Sequence, residues 1–181
     1  MVTKLAVGFA SRSVFGKARR TVSITGGNFC SRNPLSGKPR CGSGNHKFLA
    51  AKLSKFYCDG IFVAGSTGDM PFLLISERVE LVKAACAGMP DSTVLYGGIG
   101  DFSFRDHIEN AKRFADAGCD VAVMMTPIIF FGLAQSEVAA YFEEIAGKSP
   151  IPIVLYHHMR VTTPIEPETV ASLSLHPNII V

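Results

Sequence analysis

The chain has 181 residues, a hydrophobic fraction of 48% and no tryptophan, which suits a single domain able to bury one sizeable core. Its longest apolar run, residues 121–131, contains Pro127 and is far shorter than the ~20 residues that cross a bilayer. Its five cysteines are scattered and never in Cys-x-x-Cys spacing, which argues against a disulfide framework or a zinc ribbon and for free thiols.

Charge is divided unevenly along the chain. Residues 1–44 hold eight Lys or Arg and no acid, although the formal net charge of the whole chain is only +3. Glycine and proline interrupt this segment and predict irregular structure, with one short strand over Thr21–Thr25. Three interpretations stay open: a transit segment that would direct the protein to mitochondria rather than the cytoplasm, a disordered basic arm, or sequence foreign to the domain. Dispersed basic residues with few aromatics argue against nucleic-acid binding.

From Asn45 onwards, helical and strand patterns alternate. Asn45 is predicted to cap a helix that carries Phe48, Leu49, Leu53 and Phe56 at helical spacing. The strand that follows is predicted over Gly60–Ala64, and its wholly apolar sequence indicates burial on both faces.

The remaining elements continue the alternation to the end of the chain. Further helices are predicted over Glu77–Ala87 with Ser76 as cap, Ser103–Ala117, Ser136–Ala146 ended by Gly147, and Glu166–Leu175. Further strands are predicted over Thr93–Tyr96, Asp120–Met125, Ile151–Tyr156 and Asn178–Val181. Strands separated by amphipathic helices predict right-handed crossovers and a parallel α/β sheet. Periodicity alone does not separate a barrel from an open doubly wound sheet.

In either architecture the carboxyl ends of the strands carry the chemistry. In Gly65-Ser-Thr-Gly68, the hydroxyls and backbone N–H groups can hold a carboxylate, although a plain turn explains the same residues. Tyr156 can relay protons at the end of its strand or fill the core with its ring. His157 and His158 point to opposite faces of a strand, so no metal is expected.

These segments in order resemble the dihydrodipicolinate synthase/N-acetylneuraminate lyase family over residues 45–181. The resemblance is carried by Gly65-Ser-Thr-Gly-Asp69, Ser76-Glu-Arg78, Thr126-Pro127, Ile153-Val-Leu-Tyr156, Pro167-Glu-Thr169 and His176-Pro-Asn-Ile-Ile180. It implies a (β/α)8 barrel with parallel strands, here an incomplete one, because such barrels typically take ~250 residues. The chain is thereby divided into an irregular segment, 1–44, and a partial barrel domain, 45–181.

The resemblance also implies a function. Members are class I aldolases or lyases that bind pyruvate, a 2-oxo acid, through a lysine Schiff base and without a cofactor; they commonly form homo-oligomers. Ser66 would be the hydroxyl relay and Tyr156 the acid/base. Thr67 would hold the carboxylate, with Gly65 and Gly68 supplying the turn, and Thr162 would contact the polar chain of the substrate.

Several positions depart from the family pattern. The Schiff-base lysine is expected only beyond Val181, and the first barrel strand is expected to be missing before the Asn45 helix, which favours the interpretation of residues 1–44 as foreign sequence. Ile128-Ile129 replace a tyrosine pair of dihydrodipicolinate synthases, and Val161 stands where those enzymes have an arginine. Both changes favour a sugar-acid or hydroxy-oxo-acid aldolase.

Three hypotheses follow for the chain itself. It is a piece of a pyruvate aldolase or lyase without turnover of its own, a non-catalytic barrel fragment that acts by association, or a product without a stable fold, because unpaired strand edges favour aggregation.

Overall fold

The computed structural model describes residues 59–68, 70–127, 131–158 and 161–181, and the backbone of residues 7–9 and 20–23. Its strands are β1 (Val7–Phe9), β2 (Arg20–Ser23), β3 (Gly60–Val63), β4 (Val94–Gly98), β5 (Val121–Met124), β6 (Ile153–Leu155) and β7 (Ile179–Ile180). Its helices are α1 (Ile75–Cys86), α2 (Phe104–Asp116), α3 (Gln135–Lys148) and α4 (Pro167–Leu173). The predicted elements from residue 60 onwards are confirmed, with boundaries shifted by a few residues.

The seven strands form one sheet in sequential order, β1 to β7. β1 pairs antiparallel with β2, whereas every later pair is parallel. A doubly wound sheet reverses its strand order at a switch point, and this sheet shows no reversal. The α/β architecture is therefore that of a barrel wound in one direction, and it is incomplete.

The sheet position before β3, where the family's own first strand is expected to be missing, is taken by a strand of the basic segment. β2 pairs in parallel with β3, with Thr21 opposite Gly60 and Val22 opposite Ile61, so part of the basic segment takes the sheet position before β3. The short strand predicted over Thr21–Thr25 is confirmed, and it starts one residue earlier and ends two residues earlier. The helix predicted after Asn45 lies outside the described residues, as do Ile128-Ile129.

Helix starts differ from the predictions in an instructive way. Ser103 caps α2, and its hydroxyl accepts a hydrogen bond from the Asp106 N–H at 3.3 Å. Ser76, by contrast, does not cap α1, which begins one residue before it. There the Glu77 carboxylate accepts from the Leu74 N–H at 2.8 Å, and that bond from inside the first turn replaces a side-chain cap. Gly147 also does not end α3, which continues to Lys148.

The core lies between the sheet and the helices that cover it. Phe114 and Phe142 from the helices pack with Ile61, Leu95 and Ile153 from the strands, all fully buried. Cys119 is a buried free thiol whose Sγ donates to the Leu95 carbonyl at 3.3 Å, and burial raises its pKa to about 12. Within the described ranges, no helix has both the length and the apolar character needed to span a bilayer.

Candidate active-site cleft

A cleft lies at the carboxyl ends of β3 to β6, with about 290 Å³ of empty space that includes open solvent. The cleft is lined by Phe62 of β3 with Ala64, Gly65, Ser66 and Met70 after it, by Gly98 at the end of β4 with Gly100 after it, by Val123 and Met124 of β5 with Met125 after it, and by Tyr156 after β6. Ser66 and Tyr156 are the hydroxyl-bearing side chains in this lining, and the rest is backbone or apolar. The structure therefore brings Gly65, Ser66 and Tyr156 to the lining of one cleft.

The turn after β3 is closed by its own backbone. The Gly65 carbonyl accepts hydrogen bonds from the N–H groups of Gly68 at 2.9 Å and Met70 at 3.3 Å. The Gly68 N–H is therefore engaged inside the turn and is not directed at a ligand, and Gly68 does not line the cleft. Thr67 lies in the same turn, Ser66–Gly68, where its backbone alone is described.

The ends of β3 and β4 approach each other very closely. A Cβ atom on Gly98 would lie 2.1 Å from the Ala64 carbonyl oxygen, far inside any permitted contact. Ala64 itself has a φ of 53°, a left-handed conformation that costs a non-glycine residue roughly 1–2 kcal/mol. Such strain persists only where the surrounding structure enforces it, and here it turns the chain from β3 into the cleft wall.

Tyr156 is held at the end of β6. Its N–H donates to the Met124 carbonyl at 2.8 Å, and its ring stacks on His158 with centroids 6.0 Å apart and planes at 21°. His157 is exposed, whereas His158 is half-buried, as expected for neighbours in extended chain. Among the residues with described side chains, no group of three His, Cys, Asp or Glu is placed to hold a metal ion.

Thr162 is not brought into the cleft. Its hydroxyl donates to the Pro127 carbonyl at 2.8 Å, and neither residue contributes to the cleft lining. Thr162 thus joins the segment after β6 to the segment after β5. This hydrogen bond runs from a side chain to a backbone carbonyl, and no residue spacing in the sequence indicates it.

A buried polar network lies beside the cleft, between α1, α2 and the segment after β4. Arg78, which is 6% exposed, forms an ion pair with Asp101 at 2.9 Å and donates from Nη1 to the Gly100 carbonyl at 2.8 Å. Asn110 donates to the Ile99 carbonyl and to Asp101. Burial by itself raises the pKa of Asp101, but hydrogen bonds from the Phe102 N–H, Arg78 and Asn110 outweigh it and lower that pKa.

His107 is the second titratable member of this network. Its Nε2 accepts from the Asp101 N–H at 3.2 Å and its Nδ1 lies 2.8 Å from the Ser103 carbonyl oxygen. These partners require a neutral ring protonated on Nδ1. Burial lowers the pKa of His107, which favours the same neutral form. The Tyr141 hydroxyl lies 3.3 Å from Nδ1, and burial raises the Tyr141 pKa.

The family model for the dihydrodipicolinate synthetase family matches residues 46–181. The chain belongs to this family. It is 34% identical over 133 residues to 4-hydroxy-tetrahydrodipicolinate synthase 1 of Streptomyces coelicolor, covering 73% of this chain and 43% of that protein. The family assignment confirms the resemblance found in the sequence.

Solved structures give the same fold. A dihydrodipicolinate synthase from Agrobacterium tumefaciens superposes with a TM-score of 0.70 at 27% identity, over 77% of this chain and 47% of the other. The Escherichia coli protein YagE, a family member solved in complex with pyruvate, gives a TM-score of 0.69 at 25% identity, over 75% and 46% of the two chains. The chain spans less than half the length of the relatives it matches.

Sequence reasoning missed the apolar walls and the polar network. Phe62 reaches the cleft from within β3, and Met70 from beyond its end. No sequence motif marks either residue. Gly98 and Asp101 follow the strand predicted over Thr93–Tyr96, and their residue types alone do not indicate a role. Arg78 was noted for the resemblance only, because the partner that explains its burial is 23 residues away.

The contact between Gly98 and Ala64 generates a first prediction. Gly98→Ala should cost at least about 2 kcal/mol of unfolding free energy, because its Cβ would overlap a backbone oxygen that cannot move alone. Gly147→Ala is the matched control: no atom lies within 4 Å of its Cβ position, and removing a helical glycine should stabilise by ~0.5–1 kcal/mol. Urea denaturation of both variants measures this. Equal stabilities would contradict the close approach.

The His107 environment generates a second prediction, on pH. Because its pKa is lower in the folded chain than the ordinary 6.5, the unfolded chain binds the proton more readily. This contribution to stability is therefore complete above about pH 6.5 and is lost as the pH falls through the folded pKa. Urea denaturation across pH 5–8 should show a smaller loss on acidification for His107→Gln than for the native chain. His157→Gln, at an exposed position, should keep the native pH dependence, and an unchanged profile for His107→Gln would contradict the assignment.

Proposed function

We propose that this cleft binds a 2-oxo acid, pyruvate, as part of an aldolase or lyase site of the family. The observation that supports this most is that Ser66, which is exposed, and Tyr156, which is half-buried, border the same largely apolar cleft. Hydroxyl donors beside apolar surface can bind the oxygen atoms of a small anion at such a site. The E. coli relative solved with pyruvate supports the same ligand.

In this proposal the residues have separate roles. Ser66 relays a proton, and Tyr156 acts as the acid/base that protonates and deprotonates the oxygen atoms of the ligand. Thr67 holds the carboxylate together with donors of the Gly65–Gly68 turn, among which the Gly68 N–H is already used by Gly65. Thr162 contacts the polar end of a longer substrate only if its hydroxyl leaves the Pro127 carbonyl.

The proposal includes no Schiff-base turnover by the 181-residue chain. A Schiff base requires a lysine amine that attacks the ketone carbon, with the ketone oxygen leaving as water. Within the described part of the matched region, Lys83, Lys112 and Lys148 lie exposed on the helices. Lys83 pairs with Glu80 and Lys148 with Glu144. Lys47, Lys52 and Lys55 lie outside the described residues.

For the whole protein, we propose a sugar-acid or hydroxy-oxo-acid aldolase, on the grounds of Ile128-Ile129 and Val161. The alternative is a 4-hydroxy-tetrahydrodipicolinate synthase, which the name of the 34% identical Streptomyces relative favours. For that alternative activity, another group would have to relay protons in place of the tyrosine pair that Ile128-Ile129 replace.

The absence of turnover is tested by reductive trapping. Incubation of the chain with pyruvate and borohydride, followed by intact mass measurement, should leave the mass unchanged. A full-length family member with its lysine, treated in parallel, should gain the mass of one reduced pyruvate adduct. An adduct on an internal lysine of the 181-residue chain would refute this part of the proposal.

Noncovalent binding is tested separately. Ser66→Ala should weaken pyruvate binding by about 2- to 10-fold, the effect of one lost hydrogen bond, as measured by ligand-observed NMR titration. Ser136→Ala is the matched control, since Ser136 is an exposed serine on α3, and it should bind as the native chain does. No detectable binding by the native chain would overturn the proposed ligand.

A further inference from the structure

One wall of the cleft is a short backbone segment that is held from outside the cleft. The segment Gly97–Asp101 leaves β4, contributes Gly98 and Gly100 to the lining, and leads into the Ser103 cap of α2. Glycine residues carry no side chain that could anchor such a segment in place. Its position therefore depends on the groups that hold its backbone from behind.

Arg78 holds this segment from α1. Its Nη1 donates to the Gly100 carbonyl at 2.8 Å and its Nη2 to the Asp101 carboxylate at 2.9 Å. The two nitrogens of one rigid guanidinium thus fix two consecutive residues, one of which lines the cleft. Lysine cannot reproduce this geometry, because its single ammonium presents no planar fork.

α2 holds the same segment from a second side. Asn110 donates to the Ile99 carbonyl at 3.3 Å and to Asp101 at 3.2 Å, while His107 accepts from the Asp101 N–H. Three consecutive residues, 99 to 101, are thereby bonded to side chains of α1 or α2.

We propose that Arg78 is a positioning residue for the cleft: paired with Asp101, it fixes the backbone of Gly98–Gly100 in the shape that receives the ligand. The ligand part of this inference rests on the proposed function. The Arg78 side chain is buried but 23% of the Asp101 side chain is exposed, and ion pairs in such positions contribute little net stability. What this pair contributes is geometry, because an apolar side chain would leave the Gly100 carbonyl without its donor.

Arg78→Lys tests the inference, with Glu109→Gln as matched control because it breaks an exposed ion pair, Glu109–Arg113, on the neighbouring helix. Amide hydrogen exchange is measured on the full chain. In Arg78→Lys the Asp101 and Phe102 amides should exchange about tenfold faster or more, since both depend on the network. The Ile99 amide, which donates to the Val123 carbonyl of β5, should change least. The control should match the native chain throughout.

Pyruvate titration of the same variants provides the second readout. Affinity should fall about tenfold in Arg78→Lys, because only a fraction of the molecules then holds the cleft wall in the shape that binds, and it should stay native in Glu109→Gln. Native exchange at Asp101 and Phe102, or an equal increase over β3 to β6 as from general destabilisation, would overturn the inference. If Arg78→Lys does not fold, Asp101→Asn is read by the same criteria. Absence of pyruvate binding by the native chain would overturn the proposed function, while the exchange data still decide whether Arg78 positions the segment.

Discussion

A Cβ atom on Gly98 would lie 2.1 Å from the Ala64 carbonyl oxygen, so β3 and β4 leave the sheet with backbone against backbone. The rest of the site depends on this contact. Because no side chain separates the two strand ends, the chain after Ala64 must turn sharply, and it does so at a positive φ. The turn then brings Ser66 to the cleft, which Met70 and Gly100 also line. The local strain is tolerated because buried helix side chains, among them Val82 and Phe114, share one core cluster with Ile61 of β3 and Leu95 of β4.

In the polar network beside this contact, charged side chains hold the backbone that forms one wall of the cleft. Arg78 is costly to bury, and it is 6% exposed, so a core built for stability alone would use an apolar residue there. The guanidinium instead bonds the Gly100 carbonyl, which lies at the edge of the cleft, and the carboxylate also accepts from Asn110. His107 completes the arrangement as a neutral acceptor. The precise position of a side-chain-free wall is therefore maintained by charged groups that do not touch the cleft themselves.

Much of the fold was predictable, because short apolar strands and amphipathic helices have local signatures. Helix starts were less so: Glu77 replaces a cap from inside its helix, whereas Ser103 behaves as its residue type predicts. β2 was partly recognised as a strand, but its place in the sheet depends on pairing with residues some 40 positions away. Ser66 and Tyr156 were found because parallel strands end at one edge. The sequence indicates no role for Met70, Gly98 or the Arg78–Asp101 pair. Their roles depend on contacts between segments that are far apart in the sequence.

The sequential strand order has a consequence for how such a chain acquires its structure. From β3 to β7, each strand pairs with the next one along the sequence, so pairing partners are separated by only about 30 residues. Each strand–helix unit needs just the preceding unit as a template, and the loop that must close to form each pair is short. Native structure can then spread from one unit to the next as the polypeptide emerges during synthesis, without waiting for its far end.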